Sequence, residues 1–126
     1  MGKQRVQRTR AGNLWTEARY FSFIRGLLRG GFNKYPVKFK VKTANRRKNK
    51  QTKRFEYPCK ICNGWFPDKE TQVDHIRPCG SLKTFSDLPD FVSTLFCEAD
   101  NLQVVCKECH QKKTNDEGRV RRAKNK

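Results

Sequence analysis

Four cysteines constrain this chain more than anything else in it. They form two matching pairs, Cys59-x-x-Cys62 and Cys106-x-x-Cys109, with 43 residues between Cys62 and Cys106. A two-residue gap lets one turn present both sulfurs to a single tetrahedral ion, with Zn–S bonds of about 2.3 Å. Two such turns close a four-thiolate shell, so segments far apart in the chain must meet. Zinc ribbons commonly separate the pairs by roughly 15–20 residues. Here a longer insert hangs from the staple. Cys79 and Cys97 have no partner at metal spacing and read as small buried apolar residues.

The composition makes a staple useful. Of 126 residues, 33% are charged and only 35% are hydrophobic. That leaves a small core, of the kind a structural metal often supports. The formal net charge is +17, and it is unevenly placed. Residues 1–54 hold 17 Lys and Arg against one acid, Glu17, whereas residues 55–126 hold 12 against 11. A basic segment on a near-neutral remainder points to a polyanionic partner. Nucleic acid is the first candidate and an anionic membrane surface the second; a solubilising tail is the bland alternative. No apolar run approaches the ~18 residues of a membrane span. MGKQRVQRTR has no apolar region behind it, which reads as the absence of a secretory signal. The expectation is a cytoplasmic protein with reduced cysteines, in which metal binding outranks disulfides.

Three segments follow from these shifts in composition: a basic helical region over 1–54, a cysteine-bearing domain over 55–118 and a basic, frayed tail over 119–126. Residues 1–12 read as a mobile lead-in. Leu14, Ala18, Phe21, Ile24 and Leu28 make one helical stripe, with Asn13 as its cap and Gly30-Gly31 as its end. Trp15, Tyr20, Phe21 and Phe23 read mainly as packing residues, with base stacking as the alternative. VKFKVK alternates like a strand, but Pro36 and the spacing of Val37, Val41 and Ala44 favour a helix. The run from Arg46, Arg47 and Lys48 to Arg54 reads as a linker, a DNA-contacting arm, or both. YPCKICNGWF is a zinc knuckle and TQVDHIRP a short strand. SLKTFSDLPDFVSTLF holds one or two short helices with Ser86 as cap. ADNLQVV is a turn leading into a strand, and CKECHQKKTNDEGR is a second knuckle running into a helix.

The chain has two histidines. His75 follows Asp74 in the insert, and His110 follows Cys109 directly. Hydrolysis of a phosphodiester needs a base for water, a cation for the phosphate charge, and ligands for that cation. His75 can be the base, and Asp74 and His110 can be the ligands. Taken alone, either histidine reads as an ordinary hydrogen-bonded side chain and Asp74 as a surface carboxylate.

The full set is Cys59-x-x-Cys62, Val73-Asp74-His75-Ile76-x-Pro78, and Asn101-Leu102-Gln103-x-x-Cys106-x-x-Cys109-His110-x-x-Lys113-Thr114. It closely resembles the HNH endonuclease family over residues 55–116. FSDLPDFVSTLFCEADNLQV and the basic arm further resemble small HNH proteins encoded by bacteriophages. The resemblance implies an α+β fold: a ββα-metal (His-Me finger) core, here stapled by four-cysteine zinc and extended by the basic N-terminal helix. It implies His75 as general base, Asp74 and His110 as ligands of a catalytic divalent ion, and Asn101 as the residue that pins the backbone around His75. Magnesium or manganese is implied, and a His/Asp pair also accepts nickel, cobalt or zinc. The implied reaction cuts DNA to leave 5′-phosphate and 3′-hydroxyl ends, in phage DNA processing or packaging beside a terminase, in the cytoplasm of a bacterial host. In an ideal strand Asp74 and His75 point to opposite faces, so serving one site predicts a bent segment. Arg46, Arg47, Lys48, Lys112 and Lys113 are the expected DNA contacts, with solvated helix charges as the alternative for the last two. A zinc-stabilised DNA-binding or packaging-accessory protein without catalysis is the main rival. An RNA-binding protein is a weaker one, since no RNA-recognition signature is present.

Overall fold

The computed structural model describes residues 5–124. The first four residues of the expected basic region, the last two of the expected tail and the side chain of Lys124 lie outside it. The elements run β1 (Arg8–Arg10), β2 (Trp15–Thr16), α1 (Glu17–Phe32), α2 (Pro36–Thr43), β3 (Arg47–Lys48), β4 (Phe55–Pro58), β5 (Trp65–Pro67), β6 (Thr71–His75), α3 (Leu88–Leu95), β7 (Leu102–Cys106) and α4 (Lys107–Lys124). The protein is therefore mixed helix and strand. Contacts group the chain differently from the three segments read from composition. One unit joins the chain through Tyr35 to Arg77–Phe96; the other joins Pro36–Ile76 to the chain from Cys97 onward.

In the first unit, Arg8–Arg10 is not the mobile lead-in expected. Ala11, Gly12 and Asn13 all take positive φ, at 53°, 64° and 66°, and turn the chain back so that β1 pairs antiparallel with β2. Asn13 is thereby spent on the turn, and α1 begins later than expected, at Glu17. Thr16 caps it, its hydroxyl accepting the Arg19 N–H at 3.2 Å. The helix also runs through Gly30 and Gly31. Each glycine costs roughly 1 kcal/mol there. Burying Phe32, 7% exposed and stacked near Tyr35 and Phe96, offsets that with about 1.5–3 kcal/mol. Phe21, Leu82, Phe91 and Leu95 fill the rest of this core, and the Arg10 guanidinium lies over the rings of Tyr20, Phe21 and Phe85. Cys79 is half-buried, more open than expected.

α3 is preceded by a capping box, and Ser86 is not its cap. Asp87 accepts the N–H groups of Lys83 and Thr84 at 2.9 and 3.1 Å, and Thr84 returns the bond through its own hydroxyl.

In the second unit Pro36 opens α2, as its fixed φ suits. The basic run is not a free linker. Arg47 and Lys48 pair with Glu56 and Phe55 across a turn in which Asn49 Oδ1 accepts the N–H groups of Gln51 and Thr52. β3, β4 and β5 form one antiparallel sheet, and β6 pairs with β7 in a second. The second ladder is in register from Thr71↔Cys106 to His75↔Leu102. α4 leaves β7 at Cys106 and packs back on both strands. It stays helical through residues 119–124, where a frayed tail was expected. Cys97 is half-buried. No helix of the described residues is long and apolar enough to cross a membrane.

The two N–H bonds hold the Asp87 carboxyl below its ordinary value of 3.8. A lowered folded-state pKa stabilises the fold above the unfolded pKa and loses that contribution as pH falls through the folded one. Asp87→Ala should therefore lower the melting temperature at pH 7, and the gap from wild type should close as pH drops well below 3.8, followed by thermal melts across pH.

Candidate functional site

The two Cys-x-x-Cys turns share one local bond, from the N–H of the second cysteine to the sulfur of the first. In the first, Gly64 O accepts the Cys59 N–H and Cys59 O accepts the Asn63 N–H, both at 2.8 Å, with Asn63 at φ 64°. Gly64 admits no Cβ, since one would stand 2.9 Å from the Phe66 ring. Cys59 Sγ accepts the Cys62 N–H at 3.5 Å; in the second turn Cys106 Sγ accepts the Cys109 N–H at 3.4 Å. Lys60 N–H donates to Val104 O at 2.8 Å and ties the first turn to β7. The four sulfurs consequently lie within 4.8 Å of one another. A tetrahedron with 2.3 Å bonds sets sulfurs roughly 3.8 Å apart, so a small contraction closes the shell on one ion. Cys59 and Cys106 are buried beside Val105, Cys109 is half-buried and Cys62 is exposed.

Cys59, Cys62 and Cys109 differ in acidity. Burial pushes the Cys59 thiol up, but the N–H groups of Cys62, Cys106 and Ile61 outweigh it and bring it to about 6. Cys109, sharing hydrogen bonds with Cys106 and then with Cys59 and Cys62, is pushed up to about 12. One thiolate ionises readily and a neighbour resists, which is the electrostatic state that a divalent cation relieves.

One residue beyond Cys109, α4 turns His110 to a different partner. Its Nε2 lies 3.7 Å from Asp74 Oδ1. Two bonds of roughly 2.1 Å reach a single divalent ion placed between those atoms, so the pair fits one. Asp74 Oδ2 is engaged otherwise. It accepts from Gln103 Nε2 at 3.1 Å and pairs with Lys113 Nζ at 3.1 Å. Gln103 stands directly opposite Asp74 in the ladder, which is why they share a face. Lys113 also donates to His75 O at 2.9 Å and to Glu117 Oε1, one helical turn on. Burial would lower the Lys113 pKa, but Glu117 and Asp74 together raise it, and the ammonium stays charged. Lys113, expected either as a phosphate contact or as a solvated helix charge, is 20% exposed and paired to Asp74 and Glu117. Gln103 and Glu117 were missed in the sequence. Their only signals were strand register and i,i+4 spacing, neither of which can be used before the hairpin is known.

His75 is the last residue of β6 and half-buried. The ladder holds register through it, so pleating sends Asp74 and His75 to opposite faces. No register shift interrupts the ladder between them. Asn101 meets this segment through its main chain, its carbonyl accepting the Ile76 N–H at 2.8 Å. Among the other expected DNA contacts, Arg46 lies 3.8 Å over the Phe55 ring and Arg47 3.9 Å over Trp65, with Arg47 also paired to Glu56 at 3.1 Å. Lys48 is exposed, and Lys112 is exposed beside Glu108.

No protein-family model matches this chain, and neither a curated protein nor a solved structure shows significant similarity to it.

Zinc in such clusters contributes about 10–16 kcal/mol, comparable to or above the 5–15 kcal/mol stability of a whole domain. Purified protein should therefore hold one zinc per chain by elemental analysis. Cys106→Ala should hold almost none, and a strong chelator should unfold the second unit of wild type by circular dichroism. A Cys106→Ala protein with full zinc content would remove the closed shell. Separately, Lys113→Met leaves the Asp74 carboxylate, 11% exposed, without its cation. Stability to urea should fall by about 1–3 kcal/mol.

Proposed function

We propose that this chain is a metal-dependent endonuclease of the HNH type that hydrolyses DNA phosphodiester bonds. The observation that carries the reading is the convergence of Asp74 Oδ1 and His110 Nε2 across 3.7 Å, with His110 delivered by the helix turn that also supplies Cys109 to the thiol cluster. Support also comes from the order of elements: β6, β7 and α4 form a hairpin followed by a helix, the order that the ββα-metal resemblance implies.

In this reading Asp74 and His110 would hold the catalytic ion, magnesium or manganese, with nickel, cobalt or zinc as other ions that such a pair accepts. Bound there, the ion supplies Lewis-acid charge to the phosphate. His75, at the end of the ladder, would take the proton from the attacking water, which requires its side chain to turn toward the face that Asp74 presents. Lys113 and Gln103 restrain Asp74 by its second oxygen, so Oδ1 alone faces His110. Asn101 holds the backbone beyond His75 through Ile76. Arg46, Arg47, Lys48 and Lys112 carry the DNA backbone without reading its sequence. The biological setting, phage DNA processing or packaging beside a terminase in a bacterial cytoplasm, rests on the sequence resemblance.

One observation favours the rival, a non-catalytic zinc-stabilised DNA-binding protein. Every buried side-chain N and O among the described residues already has a partner, so the Asp74 network is complete with Lys113 as its cation.

Zinc-loaded wild type, His75→Ala and His110→Ala, incubated with supercoiled plasmid and manganese, separate the two. Wild type should nick the plasmid. Loss of the base should slow nicking by about 10²–10⁴-fold. His110→Ala should keep its zinc yet need far more manganese. Nicking by all three at one rate, or by none across magnesium, manganese and nickel, would favour the binding protein.

A further inference from the structure

A cleft of about 690 Å³ opens in the second unit, between α2, the first Cys-x-x-Cys turn and β7. Of the residues given roles in the hydrolytic site proposed above, Gln103 also lines this cleft, and its Nε2 already donates to Asp74. Its volume falls within the roughly 300–1,000 Å³ of small-ligand sites. Its lining is chemically one-sided: Lys42, Lys60, Asn45, Asn63, Gln103 and Trp65 present the polar and aromatic groups, and no Asp or Glu lines it. The two lysines are the only Lys, Arg, Asp or Glu side chains of the lining. Lys42 is held in the wall by Thr71 and by Asp68 at 3.3 Å. Lys60 is exposed, and only its backbone N–H is tied down, to Val104.

Trp65 gives the cleft an aromatic wall. It is 37% exposed on β5, and the Arg47 guanidinium lies 3.9 Å from its ring centroid. Arg47, paired to Glu56 at 3.1 Å, covers part of the ring, and a ligand entering the cleft meets the aromatic surface left open, of the kind on which unpaired bases stack. A duplex offers neither face of its bases, because they are already stacked.

We propose that this cleft binds an unpaired nucleotide of single-stranded DNA, with the base against Trp65 and a flanking phosphate on Lys60. The charge complementarity selects a polyanion, and the aromatic wall selects one with open bases. The inference deepens the nuclease reading and rests on it for the choice of DNA; it assigns that enzyme substrates with unpaired segments, such as flaps, gaps or displaced strands.

The test uses the full zinc-loaded chain carrying Trp15→Phe, so that emission comes from Trp65, and His75→Ala, so that DNA stays intact, with no added divalent ion. Short oligothymidylate should quench Trp65 to saturation, and a duplex of equal length should quench it little. With labelled oligonucleotide and anisotropy, Trp65→Leu should weaken single-strand binding by about tenfold while leaving duplex binding within about twofold, as expected when stacking is lost. Lys60→Ala, at an exposed position, should keep zinc and circular dichroism unchanged and lower the slope of log K against log salt by about 0.7, one single-strand phosphate contact. Absence of quenching, or equal weakening on single strand and duplex, overturns the cleft. Tighter binding of oligouridylate than oligothymidylate overturns DNA as its ligand. These readouts involve no cleavage, so quenching without any nicking of plasmid would sink the nuclease alone, and nicking without quenching would sink the cleft alone.

Discussion

Everything in the second unit depends on four sulfurs being brought within 4.8 Å. They come from two turns 43 residues apart, and neither turn is anchored without the other. The hydrophobic cluster around them is small: Cys59, Cys106 and Val105 are buried, with Phe66 and Cys109 packed on them. At about 25 cal/mol per Å² such a cluster stabilises little against the entropy of ordering the chain. A metal bond there would be stronger than that packing and directional as well. It would set the rotation of α4 about its own axis, and the next residue along is His110.

The consequence is a division of labour between adjacent residues. Cys109 faces the cluster and His110 faces Asp74, as a helix step of about 100° allows. Asp74 is divided in the same way. Oδ2 is held by Lys113 and Gln103, and Oδ1 faces His110. The carboxylate is 11% exposed, a position at which an unpaired charge is costly. Lys113 relieves that cost from α4, where its own charge is balanced again by Glu117. Under the proposed nuclease reading, so firm a hold on Asp74 is the kind of preorganisation that a catalytic ion would require. It also leaves Asp74 satisfied without an ion, and this is why activity and ion binding, rather than geometry, must decide between nuclease and binding protein.

Much of this was legible. The Cys-x-x-Cys pairs, the strand at TQVDH, the helix after Cys106 and the start of α2 at Pro36 are local signals, written in spacing and in the φ of proline. The misreadings share one cause. Asn13 looked like a helix cap and proved a left-handed turn residue, because β1 folds back on β2. Gly30 and Gly31 looked like a helix end, and the buried Phe32 beyond them carried the helix on. The basic run before Phe55 looked like a linker and became a hairpin, because its partner strand lies immediately after it. In each case a tertiary or cross-strand contact outweighed a propensity worth about 1 kcal/mol or less.

The sequence by itself determined the candidate metal donors and the asymmetry of charge, and it named the residues of the proposed hydrolytic site, since these are matters of residue type and short spacing. Only the tertiary structure decided which of them meet. Lys113 reads as a surface cation until the helix lies on the hairpin; Gln103 reads as an ordinary strand residue until the register sets it across from Asp74. The cleft beside Trp65 has no sequence signature at all, because its walls come from α2, a cysteine turn and β7. Spacing along a chain specifies neighbours within one turn or one strand, whereas an electrostatic site is defined by distances of 3 to 4 Å between segments that are far apart along the chain.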